Sequence, residues 1–470
     1  MPLPLHRQKP LHFIGVGGAG MSAAAMVLAD RGFIVTGSDS TDKQTLQLLR
    51  RKGIRVFKYQ NSSTIKAING STYDKPIVIT STAVSELNAE LVAARRAGLE
   101  VFHRSDVLAA LINRQLSIAV AGSHGKTTTS TLIATFLSNS NHDPTAIIGG
   151  ILPAIGCNGY GGMGNLLVAE VDESDGSLVK FRASLGIITN LELDHTNHYA
   201  KFRDLITTMQ YFASGCSRLL ANRDCPVLRD YFTAQEWWSN EIYEGVKFAG
   251  IPVSLKGDHT LVDFYEDGEL MCRFELPLPG LHNLSNITAA VASCRLQGLN
   301  LDRLTINLVK LKPPSRRFDY CGTWKSRIIV DDYAHHPSEV KATLGMARLM
   351  VQSHSGPLPQ SPLRLIAVFQ PHRYTRTAEF LESFAMALVN ADQILIAPIY
   401  SAGEKPIPGI SNATLASVIE RIRPDLITLV ANNYTQLIQQ MESFTQPGDL
   451  ILMMGAGDMN NRCKQLLKLC

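Results

Sequence analysis

The chain has 470 residues, of which 45% are hydrophobic and 18% charged, with a formal net charge of +4. This composition is typical of a folded protein with an ample core, and the length predicts about three domains. The sequence contains no long basic run, no apolar stretch of about 18 residues and no Cys-x-x-Cys pair among its 8 cysteines, so we expect no nucleic-acid binding, no membrane span and no zinc or disulfide scaffold. The N-terminus lacks the apolar core of a signal peptide, and we therefore expect a cytoplasmic protein.

The first motif is a glycine-rich turn near the start of the chain. An apolar run at residues 11–14 predicts a strand, residues 15–20 read Gly-Val-Gly-Gly-Ala-Gly, and residues 21–29 have a helical pattern. A strand followed by G-x-G-x-x-G and a helix is the fingerprint of a turn that approaches a nucleotide diphosphate closely. A tight turn without a ligand is the alternative.

The same domain continues with further strands that alternate with helices. A strand predicted at residues 33–36 is followed by Asp39, an acid placed to contact a ribose. Strands predicted at residues 77–80 and 100–102 complete a Rossmann-like sheet. The loop at residues 81–88 would then lie at a strand's carboxyl end, where α/β folds bind ligands.

A second phosphate-binding motif begins the next domain. The apolar residues 118–121 predict a buried strand, residues 122–125 form a small-residue turn, and Lys126 and Thr127 open a helical pattern. The lysine can contact the β- and γ-phosphates of a nucleotide, and the threonine hydroxyl can bind Mg²⁺. The spacing G-x-x-G-K-T is shorter than the common G-x-x-x-x-G-K-[ST], and a chance Gly-Lys-Thr in a surface loop is the alternative.

Polar residues follow two more predicted strands of this domain. Residues 166–169 form an apolar run that leads into residues 170–175, which contain four carboxylates. Such carboxylates repel one another unless a cation or a basic group neutralises them, and an acid at a strand end beside a phosphate turn suits a Mg²⁺ ligand. The strand predicted at residues 185–189 leads to His195, a candidate to bind a second metal ion or to donate to a phosphate. A solvated acidic turn and a hydrogen-bonded loop histidine are the alternatives.

Three further segments complete the second domain. Residues 149–164 are rich in glycine and are predicted to form a mobile surface loop or lid. Residues 251–279 alternate in hydrophobicity around Asp267-Gly268, which predicts a β-hairpin. The helical pattern at residues 287–296 is preceded by His282, Asn283 and Asn286, which fit a helix start as ligand contacts or as capping residues.

The third domain follows a proline-rich hinge near residue 320. A strand is predicted at residues 328–330 and leads into the polar residues 331–336, with Pro337 placed as the first residue of a helix. A strand at residues 366–369 leads into a loop with Arg373 and Arg376, which suit recognition of a carboxylate or phosphate. Surface charge is the alternative for this pair.

Taken together, these patterns predict an α/β protein of three domains. Residues 1–110 would form a Rossmann-like domain, and residues 111–320 a P-loop ATPase domain with a mostly parallel sheet and a small antiparallel part. Residues 321–470 would form a second Rossmann-like domain, with further strands at residues 393–397 and 450–454.

At this point the motifs match a known set, because the chain resembles the Mur ligase family over nearly its whole length. The resemblance rests on residues 14–22, 122–129, 170–175, 194–195, 282–283 with Asn286, 316–318, 331–337, 370–376 and 402–404. The shortened G-x-x-G-K-T spacing is this family's own form. Small departures include Ser123 where the family usually has Thr, and Asp319 where Gln is common.

The resemblance implies an ATP-dependent ligase that forms a peptide-type bond and releases ADP and phosphate. The first domain would bind the UDP substrate, the second ATP and the third the amino acid. The implied reaction joins L-alanine to the lactyl carboxylate of UDP-N-acetylmuramate through an acyl phosphate, in peptidoglycan synthesis for the cell wall. ATP with Mg²⁺ or Mn²⁺ would be required, and a monomer or weak homodimer is expected.

The resemblance also implies roles for individual residues. The catalytic residues would be Lys126, Glu170, His195, His335 and Arg373. The ATP-binding residues would be Gly122, Ser123, His124, Gly125, Lys126, Thr127, Thr128, His282, Asn283, Asn286, Arg317 and Asp332. The residues that bind the UDP substrate would be Gly15, Gly17, Gly18, Ala19, Gly20, Ser38, Asp39, Ser81, Arg373 and Arg376. The metal ligands would be Thr127, Glu170 and His195.

Three alternatives remain at this point. A ligase that attaches a recycled tripeptide to the same nucleotide would share most of these motifs. An NAD(P)-dependent dehydrogenase would explain the first glycine turn but not the second phosphate turn or the acidic strand end. A GTPase switch is disfavoured because the sequence contains no N-K-x-D guanine-recognition motif.

Overall fold

The computed structural model describes residues 3–41, 44–70, 74–152, 155–193, 199, 201–305, 308 and 316–468. The strands are β1 Leu11–Ile14, β2 Val35–Ser38, β3 Arg55–Phe57, β4 Ile77–Thr80, β5 Val101–His103, β6 Leu116–Ala121, β7 Thr145–Leu152, β8 Cys157–Tyr160, β9 Leu166–Glu170, β10 Leu185–Ile188, β11 Arg218–Asn222, β12 Glu236–Ser239, β13 Phe248–Leu255, β14 Thr260–Glu266, β15 Glu269–Leu276, β16 Asp319–Trp324, β17 Arg327–Asp332, β18 Leu365–Phe369, β19 Gln393–Ile396, β20 Thr428–Val430 and β21 Leu450–Met454.

The helices alternate with these strands along most of the chain. They are α1 Ala19–Asp30, α2 Gln44–Arg51, α3 Ser62–Asn69, α4 Ala89–Arg96, α5 Arg104–Ile112, α6 Lys126–Asn139, α7 Phe202–Gly215, α8 Pro226–Tyr231, α9 Leu281–Leu296, α10 Leu301–Thr305, α11 Pro337–Ser353, α12 Tyr374–Glu379, α13 Leu381–Leu388, α14 Asn412–Ile422, α15 Tyr434–Phe444 and α16 Met459–Leu467, with a short 3-10 helix at Ser177–Lys180. In the part of the chain that the structure describes, no helix combines the length and apolar character needed to cross a membrane.

Met1–Ala249 and Asn286–Asn307 make up the first compact unit. Its first sheet has five parallel strands in the order β3-β2-β1-β4-β5. The strand order reverses at β1, which has β2 on one side and β4 on the other. The glycine turn follows β1 at the carboxyl edge of the sheet, the place where such folds bind ligands. Strand β2 begins at Val35 rather than Phe33, because Phe33 N still donates to Leu28 O at the end of α1 (3.0 Å).

The second sheet of this unit places three strand ends beside the second phosphate turn. Its strands run in the order β12-β11-β10-β6-β9-β7-β8. Strand β6 lies between β9 and β10 and is parallel to both. Because parallel strands end at the same edge, the loops after β6, β9 and β10 meet there. This edge gathers the phosphate turn, the acidic residues 170–175 and the loop after residue 188.

The glycine-rich segment at residues 149–164 differs from the predicted mobile loop. Its described residues include the end of β7 and all of β8, which pair as an antiparallel hairpin. A Cβ on Gly159 would lie 2.2 Å from Ala23 O, and one on Gly164 would lie 1.9 Å from His142 O. The glycines therefore permit close backbone packing, against α1 in the first case. The mobile-loop prediction was wrong for this part of the chain.

Gly250–Ser285 and Leu308–Cys470 make up the second compact unit. It contains the predicted hairpin, in which β14 and β15 pair antiparallel. Asp267 and Gly268 form the turn and both have positive φ, at +51° and +82°, as the tight two-residue hairpin turn requires.

The other sheet of this unit has six strands in the order β16-β17-β21-β18-β19-β20. Only β16 is antiparallel to its neighbour; the other described pairs are parallel. In this order the last strand in sequence, β21, lies inside the sheet between β17 and β18. The loops that follow β17, β18 and β21 meet at one edge, where the polar motifs of this domain are found. These sheets confirm the predicted three-domain α/β fold, while the residue boundaries of the domains stay a prediction.

Candidate active site

The turn between β6 and α6 has the backbone geometry of a phosphate-binding turn. Gly122 and Gly125 have φ of +123° and +83°, values that side chains rarely allow. Helix α6 begins at Lys126, so the N–H groups of its first turn are available to an anion. A Cβ on Gly125 would lie 2.3 Å from Asn286 Oδ1. The second glycine of the shortened motif thus makes room for a side chain of α9.

The loop after β10 holds this turn in place. Asn190 binds the backbone of His124 at both ends, through His124 N to Oδ1 (2.9 Å) and from Nδ2 to His124 O (3.0 Å). Thr189 Oγ1 also donates to His124 O (2.6 Å). Ser123 Oγ donates to Glu192 O and accepts from Glu192 N, both at 2.9 Å. Ser123 therefore performs this bracing with its hydroxyl, the group it shares with the threonine common in the family.

Lys126 contacts an acid that the sequence analysis listed only as part of a cluster. Its Nζ lies 2.8 Å from Glu173 Oε2 and 2.6 Å from Gly122 O, and the Glu173 side chain is 1% exposed. Burial lowers the pKa of Lys126, but the nearby carboxylates, Glu173 first, outweigh burial and raise it. Burial raises the pKa of Glu173 to about 7, against the opposing effect of Lys126. The ammonium group of Lys126 thus interacts with several acids of the loop after β9.

Thr127 and Glu170, two of the predicted metal ligands, are in direct contact. Thr127 Oγ1 donates to Glu170 Oε2 (2.9 Å), and Gly149 N donates to the same oxygen (2.8 Å). The hydroxyl of Thr127 at the start of α6 and the carboxylate of Glu170 at the end of β9 are oxygen donors of the kind that Mg²⁺ prefers. The residues therefore fit a magnesium ion. The third predicted ligand, His195, lies outside the described residues.

The glycine turn of the first domain is fixed by the acid after β2. Gly17 N donates to Asp39 Oδ2 (2.9 Å), and a Cβ on Gly17 would lie 2.7 Å from that oxygen. Gly18, Ala19 and Gly20 form the cap and the first turn of α1. Gly15 faces Val84, whose Cγ2 would be 3.5 Å from an added Cβ, and Val84 N donates to Ser81 O (2.9 Å). The loops after β1 and β4 therefore meet, as the predicted nucleotide site requires.

Ser38, another predicted substrate contact, takes part in a buried polar network. Its hydroxyl donates to Glu90, whose other carboxylate oxygen lies 2.9 Å from His12 Nε2. His12 Nδ1 lies 2.8 Å from Thr36 Oγ1. Glu90 and His12 are both fully buried. The Ser38 hydroxyl thus connects β2, through Glu90 of α4, with His12 of β1.

The second compact unit carries its own polar cluster after β17 and β18. The rings of His335 and His372 lie 6.0 Å apart, and His372 stacks on Tyr400 at 5.5 Å. Arg376 Nη1 lies 3.3 Å from His372 Nδ1. Burial and then Arg376 lower the pKa of His372 to about 4. His372 is therefore neutral near pH 7 and can accept a hydrogen bond from Arg376. The sequence pattern at residues 370–376 assigned functions to Arg373 and Arg376 but not to His372.

The two predicted arginines of this loop have different environments. Arg373 caps α12 with φ of +70°, and its Nη1 lies 3.8 Å from Glu404 Oε1. Glu404 is fixed by Thr375, which donates from N (3.1 Å) and from Oγ1 (2.8 Å). Arg376 lies inside α12 and is buried. Arg373, with a side chain 39% exposed, is the more accessible of the two.

Glu339 connects several predicted site residues and was missed by the sequence analysis. Its Oε1 lies 3.2 Å from Arg317 Nη1 and its Oε2 lies 3.1 Å from His335 Nδ1. Burial raises the pKa of Asp332 to about 6, although Arg317 opposes this. Burial and then Arg317 lower the pKa of His282 to about 4. The position of Glu339 in the first turn of α11 gave no signal, because an acid is common there as a helix-dipole partner.

The polar residues at the start of α9 have different partners. Asn283 Nδ2 donates to Pro279 O (2.8 Å), a contact that closes the helix start. Asn286 Oδ1 accepts from Thr129 Oγ1 (3.3 Å) beside the phosphate turn. Thr128, in the first turn of α6, is buried. Asn286 is therefore the member of the set that directly adjoins the turn.

The side chain of Arg316 pairs with Asp331 and not with the nearby Asp319. Arg316 Nε lies 3.1 Å from Asp331 Oδ2, and its Nη2 donates to Gly455 O (2.9 Å). Asp319 Oδ2 instead lies 3.4 Å from the backbone N of Arg316. The departure from the family pattern at this position thus affects the backbone contact of Arg316.

Comparison with known proteins identifies all three domains. The Mur ligase family catalytic domain matches residues 10–116, the Mur ligase middle domain residues 120–294 and the Mur ligase glutamate ligase domain residues 316–457. A curated relative from Synechococcus sp. (strain CC9605), named UDP-N-acetylmuramate–L-alanine ligase, is 57% identical over 99% of this chain and 100% of its own length.

Two solved structures share the fold. The UDP-N-acetylmuramate-alanine ligase MurC from Thermotoga maritima superposes with a TM-score of 0.78 at 22% identity, covering 98% of each chain. A murein peptide ligase from Psychrobacter arcticus gives a TM-score of 0.68 at 20% identity, also covering 98% of each chain. The matches to the three domain models cover the two glycine turns and the acidic strand end described above. Together with the full-length relative, they show that the chain belongs to the Mur ligase family.

Proposed function

We propose that this chain is an ATP-dependent ligase that joins L-alanine to the lactyl carboxylate of UDP-N-acetylmuramate, releasing ADP and phosphate. The observation that carries the proposal is the shared edge of the second sheet. There the phosphate turn with Lys126 lies beside the Thr127–Glu170 pair. The substrates are proposed from the name of the full-length relative, which is 57% identical to this chain.

In the proposed reaction a substrate carboxylate oxygen attacks the γ-phosphorus of ATP, and the bond from that phosphorus to ADP breaks. The amine nitrogen of alanine then attacks the carbonyl carbon of the acyl phosphate, and phosphate leaves as the amide forms. No side-chain nucleophile is needed for either step. The protein must instead position the reactants, neutralise charge and keep water from the acyl phosphate.

Lys126 supplies the main positive charge of the phosphate turn. The carboxylates around it keep it protonated, so it can stabilise charge on the β- and γ-phosphates, with help from the N–H groups at the start of α6. Thr127 and Glu170, together with His195, would hold Mg²⁺, which when bound neutralises the phosphate oxygens. Gly149 N and Thr127 Oγ1 orient the Glu170 carboxylate for this role.

The second unit would bind the amino-acid end of the substrates. His335, Arg373 and Arg376 follow β17 and β18 at one edge of the sheet. Arg373 is the accessible cation and suits a carboxylate, while Arg376 is held against the neutral His372. Arg317 and Asp332 would contact the nucleotide. The cytoplasm, where ATP and UDP-linked substrates are made, is the proposed location.

The proposal is tested by phosphate release from ATP with purified protein and Mg²⁺. Release should require UDP-N-acetylmuramate and L-alanine together, and mass spectrometry should find the alanyl product. Equal release when either substrate is omitted would contradict the proposed reaction. Substrate labelled with ¹⁸O in the lactyl carboxylate should transfer one label to phosphate; absence of label would contradict the acyl phosphate.

The tripeptide ligase is the remaining alternative. It is separated by offering L-alanine and the tripeptide L-Ala-γ-D-Glu-diaminopimelate to the same preparation. We expect product with L-alanine and little or none with the tripeptide. The reverse preference would replace the proposed amino-acid substrate but keep the ligase chemistry.

A further inference from the structure

We propose that Arg104 binds the diphosphate of the nucleotide substrate, an inference that rests on the proposed function. Arg104 is the first residue of α5 and directly follows β5. Strand β5 is parallel to β4, and β4 is parallel to β1. The start of α5 is therefore at the same carboxyl edge as the glycine turn after β1. No motif in the sequence singled out this arginine.

The guanidinium of Arg104 occupies space that the last glycine of the turn leaves open. A Cβ on Gly20 would lie 2.4 Å from Arg104 Nη1 and 3.5 Å from its Cζ. In dinucleotide-binding turns the third glycine is usually explained by close packing of helix against strand. Here it makes room for an arginine side chain that lies over the first turn of α1. The cation is thus next to the N–H groups that would receive a diphosphate.

The ion pairs of Arg104 are long in the structure. Its Nη2 lies 3.5 Å from Asp175 Oδ2 and 3.9 Å from Asp172 Oδ2. Charge-assisted hydrogen bonds of arginine are typically about 2.7–2.9 Å. By contrast, Arg31 of the same unit donates to Thr145 Oγ1 at 2.9 Å. Among the residues that the structure describes, Arg104 makes no hydrogen bond of normal length, so its guanidinium is held only by these two long ion pairs.

The position of Arg104 is otherwise unfavourable for a cation. It is the first residue of a helix, where the macrodipole favours negative charge. Lys180 fixes this helix start by donating to Ser105 Oγ (2.9 Å) and to Asp106 Oδ1 (2.7 Å). A helix start that is held in place, with an arginine over a glycine turn, is a pre-organised site for an anion. The planar fork of arginine suits two phosphate oxygens better than a single ammonium would.

Arg104 also adjoins the acidic turn of the second domain. Asp172 lies one position before Glu173 and Asp175 two positions after it in the sequence. Glu173 is the acid that contacts Lys126. A diphosphate on the glycine turn would draw the guanidinium away from these acids. Arg104 would thereby connect the nucleotide site of the first domain with the turn that contacts the ATP site of the second.

The test compares UDP with uridine, which share the base and ribose and differ in the diphosphate. Binding of each to the full chain is measured by calorimetry for the wild type and for Arg104→Gln. We expect the variant to bind UDP about 10- to 100-fold more weakly, as for loss of charge-assisted hydrogen bonds, and uridine within about 2-fold of the wild type. Arg104→Lys should recover only part of the difference, because it keeps the charge but not the fork.

Arg96→Gln is the matched control, since Arg96 is an exposed arginine of the same domain in the last turn of α4. It should leave the affinities for both UDP and uridine unchanged. Equal weakening of UDP and uridine in Arg104→Gln, or no change in either, would overturn the role of Arg104. If the wild type fails both to bind UDP and to turn over the proposed substrates, the proposed function itself falls. UDP binding and turnover in the wild type with unaltered UDP affinity in Arg104→Gln would overturn this inference alone.

Discussion

Replacing Lys126 by Met tests the structural and catalytic roles of the phosphate turn together. Methionine keeps most of the apolar stem of lysine and removes the ammonium group, so little cavity is created. The change takes away the cation that lies 2.8 Å from the buried carboxylate of Glu173. Removing one partner of a buried ion pair typically destabilises a protein by about 3–5 kcal/mol.

The pKa of Glu173 sets the size and pH dependence of this loss. Without Lys126 the carboxyl group can remain in the fold by taking up a proton. From its ordinary pKa of 4.5, protonation at about pH 7.5 costs about 4 kcal/mol at most. The folded pKa is raised, so the folded state binds more protons than the unfolded state, and this cost falls by about 1.4 kcal/mol for each pH unit as the pH decreases toward 5.

The assay is urea unfolding of Lys126→Met and of the double variant Lys126→Met/Glu173→Gln between about pH 5 and 7.5. The double variant should be more stable by about 2–4 kcal/mol at the upper pH, and the two should converge at the lower pH. Both variants should lose turnover by at least about 10²–10³-fold, the usual effect of removing one transition-state charge contact. Equal stability at every pH would refute the buried pair, and near-normal kcat in either variant would refute the role of Lys126 in the phosphate turn.

The remaining predictions concern packing, acid sensitivity and metal binding. Gly159→Ala should destabilise the protein by about 1–3 kcal/mol because its Cβ would overlap the backbone of α1, whereas Gly345→Ala, which has open space within α11, should stabilise it by about 0.5–1 kcal/mol; similar denaturation midpoints would contradict the packing argument. The pKa of His282 in the folded protein is about 4, below its ordinary 6.5, so the unfolded state binds more protons between these values and the protein loses stability as the pH decreases. His282→Gln should remove up to about 3 kcal/mol of the stability lost between pH 7 and 4. Unchanged acid sensitivity in a urea titration would argue against a buried neutral histidine. Glu170→Gln should raise the Mg²⁺ concentration needed for half-maximal phosphate release by about 10-fold or more, and an unshifted magnesium titration would remove Glu170 from the metal site.

Much of the fold could be predicted because buried parallel strands are short apolar runs between polar or glycine-rich segments. Strands β1, β4 and β21 were predicted at their observed bounds, residues 11–14, 77–80 and 450–454. Helix α6 begins at Lys126 and α11 at Pro337, as the local pattern indicated. These features depend on residues close together in the sequence, so their signal is local.

The glycine-rich segment at residues 149–164 shows where local signals fail. Glycine favours flexible backbone in isolation, and the composition therefore predicted a loop. In the structure the same glycines are required because another backbone approaches too closely for a Cβ, as Gly159 shows against Ala23. The partner lies more than a hundred positions away, and nothing in the segment itself distinguishes tight packing from flexibility.

The candidate site was predicted in part, because some of its residues belong to local sequence motifs. The strand ends and the glycine turns are local features of the sequence, and the structure brings Thr127 and Glu170 together after their strands. The roles of these residues, and that of His195, remain predictions. The sequence could not indicate that Glu339 would connect Arg317 with His335, because Arg317 lies 22 positions before Glu339 and the contact depends on the tertiary fold.

The sequence by itself determined the two glycine turns, because a glycine turn between a strand and a helix obtains its N–H groups and its helix dipole from neighbouring residues. Only the tertiary structure decided which charges meet at those turns. It placed Glu173 against Lys126, and it placed Arg104 over Gly20. Such contacts are decided over a few ångströms in space, and the two residues of each contact follow different strands of the sheets.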